Sequence, residues 1–245
     1  MGSSASYPTN RPFAGKTDQI ERQYEEFWRQ ATARADVEAY LKKTEGYEYP
    51  SNLPKWIKTS TPFTNWAGTS FAESKNALLV GNHSSFDIEQ YPDAPEKAGM
   101  SMIHILGIPK AGIFNGVSLD SSNVFVVDEM IDLFKRSWTQ SDFREAILNH
   151  QRARIEGQPR IGTEDPVGYS LAMQHYEELE SRVHDLTVDD FAFGFHLWPD
   201  HSIGHLHLHI IAMPRAFRKF STCAHDNKTK DALEVRDFIK SWSLI

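Results

Sequence analysis

Residues 205–209 read His-Leu-His-Leu-His, and the run continues apolar through Ile210, Ile211 and Ala212. Strict alternation with period 2 predicts a β-strand, because successive side chains of a strand point to opposite faces. Such a strand carries His205, His207 and His209 on one face, with rings about 7 Å apart from one to the next. Leu206, Leu208 and Ile210 take the other face. The fold must therefore contain a sheet with one apolar face and one face bearing groups that titrate near neutrality.

Other segments supply the rest of an α+β plan. Lys16 to Lys43 has helical spacing at Ile20, Tyr24, Phe27, Trp28 and Ala31, and Gly46 stops it. Ala77–Gly81 and Met100–Pro109 are short apolar runs, expected as a hairpin with a long loop. Asn123–Trp138 shows a helical stripe of Val124, Val127, Met130, Ile131 and Phe134, with Ser121 or Ser122 as the expected N-cap. Ser141–Glu156, Asp165–Asp185 and Thr229–Trp242 are further helices, Pro166 sitting in the first turn of its own. Phe191–His196 is a strand that turns at Pro199-Asp200 into the histidine strand. The expectation is an antiparallel sheet of about five strands with packed helices. Residues 1–70 are expected as a tail, helix and loop extension, 75–214 as the main domain and 215–245 as a C-terminal helical extension.

Composition narrows the function. The formal net charge is -7 and no long basic block occurs, which argues against a protein that grips nucleic acid by neutralising phosphates. A small nucleotide needs only a few local donors and stays open as a partner. No apolar run reaches the roughly 20 residues of a membrane helix, so no membrane partner is expected. One cysteine, Cys223, makes neither a disulfide nor a multi-cysteine zinc site, and no signal-like start is evident. A reducing compartment, cytoplasmic or nuclear, is expected.

Gly204-His-Leu-His-Leu-His-Ile-Ile211 resembles the signature of the histidine-triad (HIT) superfamily. Gly99–Asn115, where a hydrophobic run ends in Ile108-Pro109-Lys110, resembles the earlier strand of that family. Phe191–Pro214 is most similar to the aprataxin and scavenger mRNA-decapping branches, through Phe195-His196 and Pro199. Three features depart from the pattern. His201 stands where the family often has Gln, Ala111-Gly112 follows Lys110 where Lys-His is common, and a single cysteine cannot build the aprataxin zinc finger.

The resemblance implies a HIT-like fold and hydrolysis of a nucleotidyl P–N or P–O bond without a cofactor. His207 would be the nucleophile on the α-phosphorus, His205 would orient it through its backbone carbonyl, and His209 would sit beside the phosphate. Ser202 matches a hydroxyl that contacts the phosphate or leaving atom. Histidine rather than Gln at position 209 favours hydrolysis over transfer. A homodimer is common in the family, with the N-terminal helix as an alternative cover for that interface.

Candidate substrate contacts are Lys110, His196, His201, Trp198 and Asp87. Four of them also have a plain structural reading: a solvated strand end for Lys110, a satisfied core histidine for His196, core packing for Trp198 and an ordinary turn for Asp87. His104 reads as a core or pocket residue. Two other classes stay open. One is a nucleotide-binding protein of the same fold without turnover, motivated by His201 and Gly112. The other is a metal enzyme, with zinc on the His strand and ligands from His104, His196 or His201.

Overall fold

Six antiparallel strands form a single sheet in the order β1-β2-β3-β5-β4-β6. They are β1 (Ala72–Glu73), β2 (Ala77–Gly81), β3 (His104–Pro109), β4 (Phe191–His196), β5 (Leu208–Ala212) and β6 (Thr229–Asp231). Six helices accompany them among the described residues: α1 (Thr17–Arg29), α2 (Phe125–Trp138), α3 (Ser141–Glu156), α4 (Pro166–Arg182), α5 (Arg215–Arg218) and α6 (Ala232–Trp242). The structure is a computed structural model, and it describes residues 11–30, 70–82, 99–157, 166–201, 203–218 and 223–242. The fold is α+β, as the segment order predicts.

The ladder register sorts the sheet's side chains. His209 lies opposite Leu106 of β3 and Gly194 of β4, and His196 lies opposite Thr229 of β6. Directly opposed residues share a face. One face therefore carries His104, Leu106, Ile108, His209, Ile211, Gly194 and His196. The other carries Ile105, Leu208, Ile210, Phe191, Phe193 and Phe195, which belong to the main core with Val127, Met130, Ile131 and Phe134 of α2. Phe134 meets Phe191 edge-on at 4.8 Å and Phe193 at 5.7 Å. Truncating such a ring to alanine costs about 3–5 kcal/mol.

On the histidine face two small apolar clusters frame a polar middle. Val80, Leu106 and Ile108 lie at one end, and Phe13, Met100, Ala192 and Ile211 at the other. The N-terminal segment closes over this layer. Arg11 pairs with Asp231 at 2.6 Å, and the Lys16 ammonium donates to the carbonyls of Asp226 and Thr229 at 2.8 and 2.9 Å. Helix α1 packs on α6 through Tyr24 and Phe238, whose rings are 5.4 Å apart.

Several expectations are corrected. The histidine strand begins at Leu208, not His205. The Leu206 N–H leaves the ladder to donate to Ile113 O at 2.7 Å, and Gly204 and His205 form a bend. The strand expected from Met100 starts at His104. Thr229–Asp231 is a strand, not the first turn of the last helix, because Asp231 ends the strand and caps the helix. Its Oδ1 accepts from the N–H groups of Leu233 and Glu234, both at 3.0 Å. The turn before α2 is held by Asp120, which accepts from the Ser122 N–H and hydroxyl at 2.8 and 2.5 Å, so neither serine is the N-cap. The sheet has six strands where about five were expected.

Candidate active site

Four imidazoles, of His104, His196, His207 and His209, meet on the histidine face, and all are buried. The rings of His207 and His209 are 4.8 Å apart, closer than the strand repeat predicts, and those of His196 and His209 are 4.1 Å apart. His225 adds a fifth ring 5.4 Å from His196. Imidazoles this close cannot all carry charge. Burial lowers the pKa of all four; neighbouring charges push His104, His196 and His209 further down, whereas the bond to His205 O partly offsets burial at His207. His104 falls to about 3. The cluster is neutral at pH 7.

Neutral rings have tautomers, and the backbone fixes two of them directly and a third through one of those two. His207 Nδ1 lies 2.7 Å from His205 O, a carbonyl that can only accept, so the proton is on Nδ1 and the lone pair on Nε2. The Met100 N–H donates to His104 Nδ1 at 3.3 Å, so the His104 proton is on Nε2. That proton points to His209 Nδ1 at 2.8 Å, which puts the His209 proton on Nε2. His209 Nε2 is buried and has no partner. It is a donor held ready beside the His207 lone pair. His196 Nε2 lies 3.1 Å from the Thr229 hydroxyl. That hydroxyl already donates to His225 O at 2.7 Å, so His196 Nε2 must be the donor.

Gly194 makes room for this network. A methyl group there would collide with Thr229 Cγ2 and press on Phe13 at 3.2 Å.

The structure places the other expected residues as follows. His205 donates from Nε2 to Pro109 O at 3.1 Å and so anchors the bend before His207. His201 is completely buried, 5.4 Å from the Phe114 ring, and neither ring nitrogen has a partner. Leaving a buried donor unsatisfied costs about 1–3 kcal/mol. Trp198 packs in the core against Phe27 at 5.5 Å; its backbone N–H donates to Asn115 Oδ1 at 2.9 Å, and its indole N–H is buried without a partner. Lys110 is exposed just past the end of β3 and pairs with Glu73 at 3.2 Å. Ser202 and Asp87 lie outside the described residues.

Sequence reasoning missed Thr229, and it offered His104 only as a core or pocket residue or a zinc ligand, not as the partner of His209. His104 had a signal in its alternation with Leu106 along β3. Thr229 had none, since it lies 20 residues beyond the triad in a segment that reads as helix.

Among the described residues, no three His, Cys, Asp or Glu side chains are disposed to hold a metal ion. Nor is any described helix long and apolar enough to cross a membrane. No family model, curated protein or solved structure matches this chain.

Proposed function

We propose that the chain is a HIT-like nucleotide hydrolase that cleaves a nucleotidyl P–N or P–O bond through a covalent nucleotidyl-His207. The substrate class is a nucleoside phosphoramidate or a dinucleotide-type polyphosphate. The observation that carries this reading is the bond from His207 Nδ1 to His205 O, which leaves the Nε2 lone pair on a neutral, buried ring. Covalent catalysis needs such a nucleophile, unprotonated at working pH.

His207 Nε2 attacks the α-phosphorus, forming a P–N bond as the bond to the leaving group breaks with its electron pair. Charge builds on the phosphate oxygens at this point. The partnerless His209 Nε2–H is a fixed donor for it in a site of low dielectric. Water then attacks the phosphorus, the P–N bond breaks, and the nucleoside monophosphate is released with His207 restored. A reducing compartment, cytoplasmic or nuclear, suits the exposed, unpaired Cys223. A homodimer remains part of the proposal, and gel filtration with light scattering tests it.

The test is intact-mass spectrometry after a rapid quench, with nucleoside phosphoramidates and dinucleoside polyphosphates as substrates. An added nucleotidyl mass on His207 supports the reading. Turnover without such an adduct, unchanged in His207→Ala, removes it.

A further inference from the structure

Lys16, just before α1, sets its ammonium in a cup of three backbone carbonyls. Nζ donates to Asp226 O at 2.8 Å, to Thr229 O at 2.9 Å and to Asn227 O at 3.3 Å. An ammonium has three donors, so these bonds engage all of them. The backbone of the residue is fixed as well. The N–H groups of Gly15 and Lys16 donate to the Glu234 carboxylate at 2.7 and 3.1 Å. Phe13 is buried three residues earlier, against the open side of Gly194.

The three carbonyls belong to a turn that ends in the histidine site. Carbonyl oxygens aimed at one point repel one another unless a cation stands between them, and charge-assisted bonds are the stronger class. Within this turn Thr229 donates its N–H and its hydroxyl to His225 O, at 3.1 and 2.7 Å. The same hydroxyl accepts from His196 Nε2 at 3.1 Å, and the His196 ring lies 4.1 Å from that of His209. Thr229 opens β6, a three-residue strand at the sheet edge that pairs with β4 alone. So short a ladder offers few bonds to hold Thr229, and the carbonyl cup adds three.

We propose that Lys16 is a positioning residue of the histidine site. Its ammonium fixes the turn of residues 226–229, the turn fixes the Thr229 hydroxyl, and the hydroxyl fixes the His196 ring against His209. The part this relay plays in turnover rests on the hydrolase reading; the geometry it enforces does not. His196 keeps its proton on Nε2 while the Thr229 hydroxyl faces it as an acceptor. A ring so held backs that of His209, whose Nε2–H is the donor for the phosphate oxygens. Lys16 thus acts on the site through the turn, since its own donors are all spent on carbonyls.

Long-range 15N–1H spectra of the full chain test the relay without any turnover. Wild type shows His196 in a single Nε2–H form. Lys16→Met keeps the length of the stem and drops the donors, and it gives a mixture of the two tautomers. Thr229→Val, which removes the hydroxyl, gives the same mixture. Lys16→Arg keeps charge and donors and stays like wild type. Lys16→Gln, a milder loss of charge, also gives a mixture and serves if Lys16→Met does not fold. A single Nε2–H form in the folded Met or Gln variant overturns the proposal. In turnover of a dinucleoside polyphosphate, Lys16→Met lowers kcat about tenfold and leaves KM within about twofold. Made in the Thr229→Val background, the same change costs no more than about twofold, because the relay is already cut. Equal losses in the two backgrounds overturn the route through Thr229. A His196 tautomer freed by Lys16→Met, in a protein that forms no His207 adduct, keeps the relay and removes the hydrolase.

Discussion

His104 Nε2 lies 2.8 Å from His209 Nδ1, and the Met100 N–H on the far side of the His104 ring sets the direction of that bond. The Met100 amide, together with the Asn82 side-chain amide 2.9 Å from the same His104 Nδ1, therefore sets, through two imidazoles, that His209 presents an N–H to the site rather than a lone pair.

Replacing His104 with Phe removes the donor to His209 Nδ1 and frees the His209 tautomer. Long-range 15N–1H spectra of the imidazoles should show a single Nε2–H form of His209 in wild type and a mixture in the variant. Activity should fall about 10- to 100-fold, the scale on which residues that orient a first contact act. An unchanged His209 tautomer would show that His104 does not set it.

Acid should destabilise the fold. His104 and His201 each have a folded pKa of about 3, against 6.5 for the free side chain. The folded values are depressed, so the unfolded chain binds more protons between these limits. Stability is complete above about pH 6.5 and declines as pH falls toward 3. At pH 5 each of these histidines costs about 2 kcal/mol, the free energy of protonating it in the unfolded chain. Urea midpoints should drop between pH 7 and pH 5, and His201→Phe should make that slope shallower. A flat profile would contradict buried neutral histidines.

Gly194→Ala places a methyl group against Thr229 and Phe13. Strand β6 must shift, and His196 loses its acceptor. We expect a loss of about 1–3 kcal/mol in stability, typical of overpacking, together with a fall in activity. Thermal melts and kcat measured together check this. Normal stability with full activity would mean that β6 yields freely.

Asp231→Ala removes both the α6 cap and the partner of Arg11. The cap is worth about 1 kcal/mol and sets the main cost. Because Arg11 is itself partly exposed, its ion pair adds little. Arg11→Ala should therefore destabilise less than Asp231→Ala. A larger effect of Arg11→Ala in urea titration would assign the stability to the Arg11–Asp231 ion pair that holds the N-terminal segment.

Much of the frame was legible in the sequence. Phe191–His196 and Ser141–Glu156 fall on their expected boundaries, because alternation and helical periodicity act locally. Thr229–Asp231 did not read as a strand. Its polar side chains carry no apolar alternation, and only β4 beside it makes it one. The start of β5 was misplaced for a similar reason: Ile113 O, nearly a hundred residues before Leu206, draws that N–H out of the ladder. The histidine site was legible in part. Alternation put His207 and His209 on one face, but the His104–His209 contact depends on a register across two strands.

The central claim is that His207 is a nucleophile, and trapping the covalent species tests it most directly. Wild-type protein quenched during turnover of a dinucleoside polyphosphate should carry one nucleotidyl group on His207, stable to base and labile to acid as a phosphoramidate is. His207→Ala should carry none and should lose turnover. Turnover by wild type with no adduct at His207, matched by His207→Ala, would contradict the account.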